Sequence, residues 1–126
     1  MSDVLVLDAG ALIAIERSSA RALRVLQRAK EDGAVLLCPA GALAQAWRGG
    51  ARKARLAALL KDPATTVLPL DALTARRIGV LAALTSRSDV VDLSVALAAR
   101  DHDAIVVTSD PEDIAAIDPT LTLIAV

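Results

Sequence analysis

The sequence predicts a single α/β domain over residues 1–126, a three-layer α/β/α arrangement around a mostly parallel central sheet of about five strands. Short apolar runs rich in β-branched residues alternate with longer stretches at helical spacing, which is the pattern of strand–helix crossover units. The strand candidates lack a polar face, and this suits strands covered by helices on both sides. At 126 residues, 55% of them hydrophobic, the chain is long enough to bury a core without staples and too short for a second domain.

The first strand is Val4–Leu7, and a helix begins near Ala9-Gly10, directly after Asp8. Ala20–Asp32 sets Leu23, Val25 and Leu26 on one side and Arg21, Arg24 and Arg28 on another, an amphipathic helix. Val35–Cys38 is the second strand. Pro39 opens a helix through Trp47 that stops at Gly49-Gly50, and Arg52–Lys61 forms another, ended by Asp62-Pro63. Thr66–Leu68 is the third strand, and Asp71 caps a long helix reaching Leu84. Val90–Arg100 is apolar nearly all round, so it should be a buried helix. Ala104–Thr108 is the fourth strand, Pro111 opens a short helix, and Leu121–Ala125 closes the chain at a sheet edge. Right-handed crossovers then place helices on both faces. Gly49-Gly50 and Thr85–Ser88 are the flexible candidates.

Composition excludes several functions. Trp47 is the only aromatic residue, which argues against RNA binding on a platform of stacked aromatics. A formal net charge of −1 gives no global attraction for nucleic acid, so any such contact must rest on local charge. Cys38, the only cysteine, sits in an apolar run and reads as an inert buried thiol. No apolar stretch approaches the ~20 residues a membrane-spanning helix needs, and no signal-peptide pattern opens the chain; the expectation is a soluble, cytoplasmic protein. His102, the single histidine, lies in the polar stretch Arg100-Asp101-His102-Asp103 and reads as a solvated loop residue. No nucleophile–histidine pair and no phosphate-binding glycine loop can be assembled.

The acidic residues carry the chemistry. Asp8 is the only charged side chain between Val4 and Ile15, at the carboxyl end of a buried strand, where open α/β sheets hold their ligands. Burying it alone costs several kcal/mol, so it must be hydrogen-bonded, paired or metal-bound. Helix N-capping and a functional role both satisfy that demand. Asp110, after Thr108-Ser109 and before Pro111, repeats the geometry at the fourth strand and is also a strong N-cap candidate. Asp89 and Asp92 share a face at the start of the apolar helix, where a capping pair would meet a favourable helix dipole. If the first and fourth strands are neighbours, Asp8, Asp92 and Asp110 meet in one crevice. Their repulsion would be relieved by a divalent cation, and an all-oxygen set favours Mg2+ or Mn2+ over zinc.

The segment Leu5-Val6-Leu7-Asp8-Ala9-Gly10-Ala11-Leu12 resembles the opening motif of PIN-domain proteins, in particular VapC-type toxin ribonucleases. Pro39 to Arg48 resembles their second motif, Asp89-Val90-Val91-Asp92-Leu93-Ser94 the third, and Val107-Thr108-Ser109-Asp110-Pro111 the fourth. The resemblance implies a compact PIN-like α/β/α fold and Mg2+-dependent endonucleolytic cleavage of RNA through a metal-activated water, with Mn2+ able to substitute. It also implies a homodimer held inactive by a VapB-type antitoxin. On this resemblance Asp8, Asp92 and Asp110 are the catalytic metal-binding positions, and Asp89 and Asp113 are auxiliaries. Gln45 stands where the second motif usually supplies Glu. An amide can offer a carbonyl oxygen but no charge and no base, so metal affinity should be weaker than in relatives with Glu.

Arg48, Arg52 and Lys53, with Arg55, cluster after the second motif as candidates for holding RNA or the antitoxin. Arg17, Arg21, Arg24 and Arg28 recur at helical spacing and read mainly as a solvated face. The rival function is a catalytically weak or inactive PIN-like binding module, in which the aspartates are caps. A phosphoacceptor receiver domain is disfavoured, because Lys30, Lys53 and Lys61 all lie in helical segments rather than near the end of a late strand.

Overall fold

The computed structural model describes residues 3–48 and 53–126. Its elements run β1 (Val4–Leu7), α1 (Ala9–Glu16), α2 (Ala20–Glu31), β2 (Val35–Pro39), α3 (Ala40–Trp47), α4 (Ala54–Lys61), β3 (Thr65–Leu68), α5 (Ala72–Thr85), α6 (Val90–His102), β4 (Ile105–Thr108), α7 (Pro111–Ile117) and β5 (Leu123–Ala125). The five strands form one sheet in the order β3-β2-β1-β4-β5, and every pairing is parallel. The element order and the edge position of the last strand are as the sequence predicts.

The strand pleat fixes which residues meet which helices. Leu5, Leu7, Leu36 and Val107 face α1 and α2, where they meet Ala11, Ile15, Ala22, Val25 and Leu26. Their neighbours along the strands, Val6, Leu37 and Val106, turn to the other face. There α6 packs across β1, β2 and β4. A second apolar cluster joins Ile78 and Leu81 of α5 to Leu93, Ala96 and Leu97 of α6 and Ile117 of α7, so α5 lies outside α6. Helix α6 is buried from Leu93 to Ala99, as its all-round apolar sequence requires. Cys38 is fully buried, and burial pushes its thiol up to about 11.

Several boundaries differ from the sequence reading for local reasons. Pro39 ends β2, pairing with Leu68 in register, and the helix starts one residue later. Helix α6 continues to His102 because Asp103 closes it in a left-handed conformation at φ 49°; His102 is therefore an exposed helix-terminal residue rather than a loop residue. Arg17 is the C-cap of α1, and Ser18 at φ 60° breaks the chain before α2. The arginine stripe thus reduces to Arg21, Arg24 and Arg28 on α2. Gly49, Gly50 and Arg52 lie outside the described residues. Among the described residues, no helix is long and apolar enough to cross a membrane.

Candidate functional site

The site is assembled by the pairing of β1 with β4. Leu7 stands opposite Val107, and the Asp8 N–H donates to the Val107 carbonyl at 3.1 Å, so Asp8 lies beside the Thr108–Asp110 turn. After β1 the chain leaves for β2 on one side, while β4 lies on the other. This is the switch point at which open parallel sheets present a crevice beyond their carboxyl ends.

Asp8 is 3% exposed. Its Oδ1 accepts the Ala11 N–H at 2.7 Å, so Asp8 is the N-cap of α1. The Thr108 hydroxyl and the Ser109 N–H lie close enough to favour the charged form of this carboxylate. Burial nevertheless holds its carboxyl above the usual carboxylate range, with the charge of Asp110 adding to the effect and the three donors offsetting part of it. Thr108 is fully buried, and its Oγ1 also accepts the Asp110 N–H at 2.8 Å. One hydroxyl therefore anchors the backbone of Asp110 and sits beside Asp8. Asp110 is exposed and occupies the N-cap position of α7 ahead of Pro111, yet its side chain makes no capping bond. Its Oδ2 accepts a long hydrogen bond from Ser109 Oγ at 3.4 Å.

The start of α6 contributes the third group. Asp89 is its N-cap, accepting the Asp92 N–H at 2.9 Å. Asp92, half-buried in the first turn, is pushed up to about 6 by burial and then by the charges of Asp89, Asp113, Asp8 and Asp110. Asp92 thus senses four other carboxylates from three different parts of the fold.

Gln45 is exposed on α3, one turn beyond Gly41. The open side of Gly41 faces Val91, the residue before Asp92, with 3.7 Å from an added Cβ to Val91 Cγ2. Residues four apart share a helix face, so Gln45 lies on the side of α3 turned toward the start of α6. Arg48 is exposed at the C-cap of α3, and Lys53 is half-buried at the N-cap position of α4. Arg52 is outside the described residues.

Two site-supporting residues escaped sequence reading. A Cβ placed on Gly10 would fall on Ser109 Oγ and 2.7 Å from Ser109 Cβ, so only glycine lets α1 sit against the β4–α7 turn. Glu16, at the far end of α1, accepts the Leu56 N–H at 2.8 Å and so caps α4 from 40 residues away. Neither contact has a local sequence signal, because both partners are set by tertiary approach.

The donor set, all carboxylate oxygens with no imidazole or thiolate beside them, suits a hard divalent cation in charge and type. Among the described residues, however, no three acidic, histidine or cysteine side chains are already gathered closely enough to hold a metal ion. Asp8 is fixed, whereas Asp92 and Asp110 are more open to solvent. The fit is chemical and electrostatic. A surface hollow of about 1120 Å³ lies elsewhere, lined by Ile105 and Thr122 near the amino ends of β4 and β5 with Arg100, Asp103 and Asp118. It contains none of Asp8, Asp89, Asp92 or Asp110.

No curated protein matches the sequence. Among solved structures, the crystal structure of VapBC2 from Rickettsia felis bound to a DNA fragment from their promoter holds a similar chain: TM-score 0.73 and 17% identity, covering 97% of this chain and 98% of that one. The structure of FitAB bound to an IR36 DNA fragment holds another, with TM-score 0.63 and 17% identity over 96% of this chain and 94% of that one. At such identities the likeness is one of fold. The family model for the PIN domain, by contrast, matches the sequence itself from residue 5 to residue 118, taking in every strand but the last, and by that match the chain belongs to the PIN domain family.

Proposed function

We propose that this protein is a divalent-metal-dependent endoribonuclease of the VapC type, the toxin of a toxin–antitoxin pair. The observation that carries the reading is the approach of Asp8, Asp92 and Asp110, at the carboxyl ends of β1 and β4 and the start of α6, to within range of one another's charge. Like charges do not assemble in a half-buried crevice without a counter-charge to receive. Membership of the PIN family and the fold shared with VapBC and FitAB chains support the same assignment.

Asp8, Asp92 and Asp110 would hold Mg2+, with Mn2+ able to substitute, and Asp89, Asp113 and the Gln45 amide oxygen stand ready to assist. When bound, the cation supplies Lewis acidity toward water and charge neutralisation at the phosphate. The protein's own contribution is placement. Asp8 is fixed by its capping bond to Ala11, while Asp92, raised to about 6, is largely ionised at neutral pH and so presents its charge to a cation there. Arg48, Arg52 and Lys53 are assigned to the RNA backbone, whose phosphates the acidic crevice would otherwise repel.

The partners are RNA, a VapB-type antitoxin and a second copy of the chain. The three most exposed large apolar side chains among the described residues, Leu73 at 61%, Val80 at 61% and Leu84 at 79%, all lie on α5. A two-fold contact sets the same surface against itself, and an antiparallel copy of α5 brings Leu73 of one protomer beside Leu84 of the other.

The test is cleavage of RNA with Mg2+ or Mn2+, abolished by EDTA and by Asp8→Asn. Asparagine still caps a helix, so loss of activity in that variant reports the missing charge. A second reading, a PIN-like binding module without catalysis, draws on specific features: Asp8 and Asp89 each commit an oxygen to a helix cap, and Gln45 carries no charge. RNA binding without cleavage under every divalent cation tried would establish it in place of the first.

A further inference from the structure

We propose that Gly10 and Ser109 form a matched niche that lodges the Ser109 hydroxyl between the Asp8 and Asp110 carboxylates, making Ser109 a positioning residue of the site. The inference rests on the metal-site reading above but on a different observation. The volume that a side chain at residue 10 would fill is taken by Ser109, whose Oγ crowds the place where the Cβ of residue 10 would be. That Cβ position, which Ser109 Oγ crowds without coinciding with it, is 3.5 Å from Asp8 Oδ1, so the hydroxyl stands in the neighbourhood of this carboxylate. Ser109 Oγ also donates to Asp110 Oδ2 at 3.4 Å. The hydroxyl therefore bonds Asp110 and stands near Asp8 without bonding to it, and the bare backbone of Gly10 is what admits it.

The arrangement has a cost that marks it as specific. Glycine in the first turn of a helix is less favourable than alanine by roughly 0.5–1 kcal/mol, and α1 has only eight residues. Gly10 adopts no left-handed conformation that would demand glycine. What demands it is the close approach of Ser109. Thr108, next in chain, already fixes the backbone of Asp110 beside Asp8; Ser109 adds a donor to the Asp110 side chain, the one carboxylate of the three that is exposed. A donor that leaves with Ser109→Ala frees Asp110 to turn into solvent.

The test is a swap across the niche, read by melting temperature in EDTA and by Mn2+ affinity from calorimetry, both on the full chain. Gly10→Ala should lower the melting temperature, and adding Ser109→Gly should restore most of the loss. Independent, additive effects, or no effect of Gly10→Ala, would overturn the niche. Ser109→Ala should keep the melting temperature while weakening Mn2+ binding about three- to fivefold, the size expected for one hydrogen bond of ordinary net strength, since at 3.4 Å it is too long for a strong charge-assisted one. Gly10→Ser with Ser109→Gly delivers a hydroxyl from the opposite wall and should bind Mn2+ more tightly than Gly10→Ala with Ser109→Gly. Equal affinities in these pairs would overturn the positioning role. A wild-type protein that takes up no Mn2+ would overturn the metal-site reading and the positioning role with it, while the melting cycle still decides the niche.

Discussion

At the scale of single residues, the site turns on one carboxylate held back from ionising and one carboxylate that is missing. Asp92 titrates near 6 in the folded protein against 3.8 for an unperturbed aspartate. Between those values the folded state binds more protons than the unfolded state, so stability falls as pH rises through the window. Asp8, also raised, acts in the same direction. Asp71, Asp101 and Asp118 are lowered, and their contribution is complete by the lower edge of that window. The metal-free protein should therefore melt at a higher temperature at pH 5 than at pH 7.5, and saturating Mg2+ should reverse the order; thermal melts at both pH values check this. Gln45→Glu should tighten Mn2+ binding and raise RNA cleavage, as seen in a Mn2+ titration and a rate measurement. An unchanged titration would mean that residue 45 does not reach the site. Sequence reading named the carboxylates because capping and ligation both need them in recognisable places. It could not rank those two roles, since Asp8 fills the cap while standing in the crevice.

Among the elements, α5 presents the plainest surface. Its inner side, Ile78 and Leu81, packs on α6, while Leu73, Val80 and Leu84 are left outside. Leu84→Asp removes no core contact, so it should leave the melting temperature within a few degrees and shift the protein from dimer to monomer in light scattering; a dimer that survives the change would exclude α5 as the interface. Helix boundaries were legible where a cap announces them, as at Asp71 before α5 and Asp89 before α6. They were misjudged where the end depends on backbone conformation, as at Asp103, whose left-handed turn lets α6 absorb the polar Arg100–His102 stretch. The arginine series failed similarly, since periodicity ran straight through the Ser18 break.

For the whole molecule, alternation of apolar runs with helical spacing was enough to give the order of all twelve elements and the parallel sheet. The pairing of β1 with β4 was a condition stated from sequence and met in the fold; no pattern within β1 itself encodes its neighbours. Long-range contacts were the least legible, and the Glu16–Leu56 link is one of them. Helix α1, about 12 Å long, is fastened at both ends by acidic side chains: Asp8 secures its own first turn, and Glu16 grips the opening turn of α4. It behaves as a strut between the crevice and the α4 flank. The crevice and the α4 flank are thus joined through a single short helix, with one hydrogen bond to a carboxylate at each end.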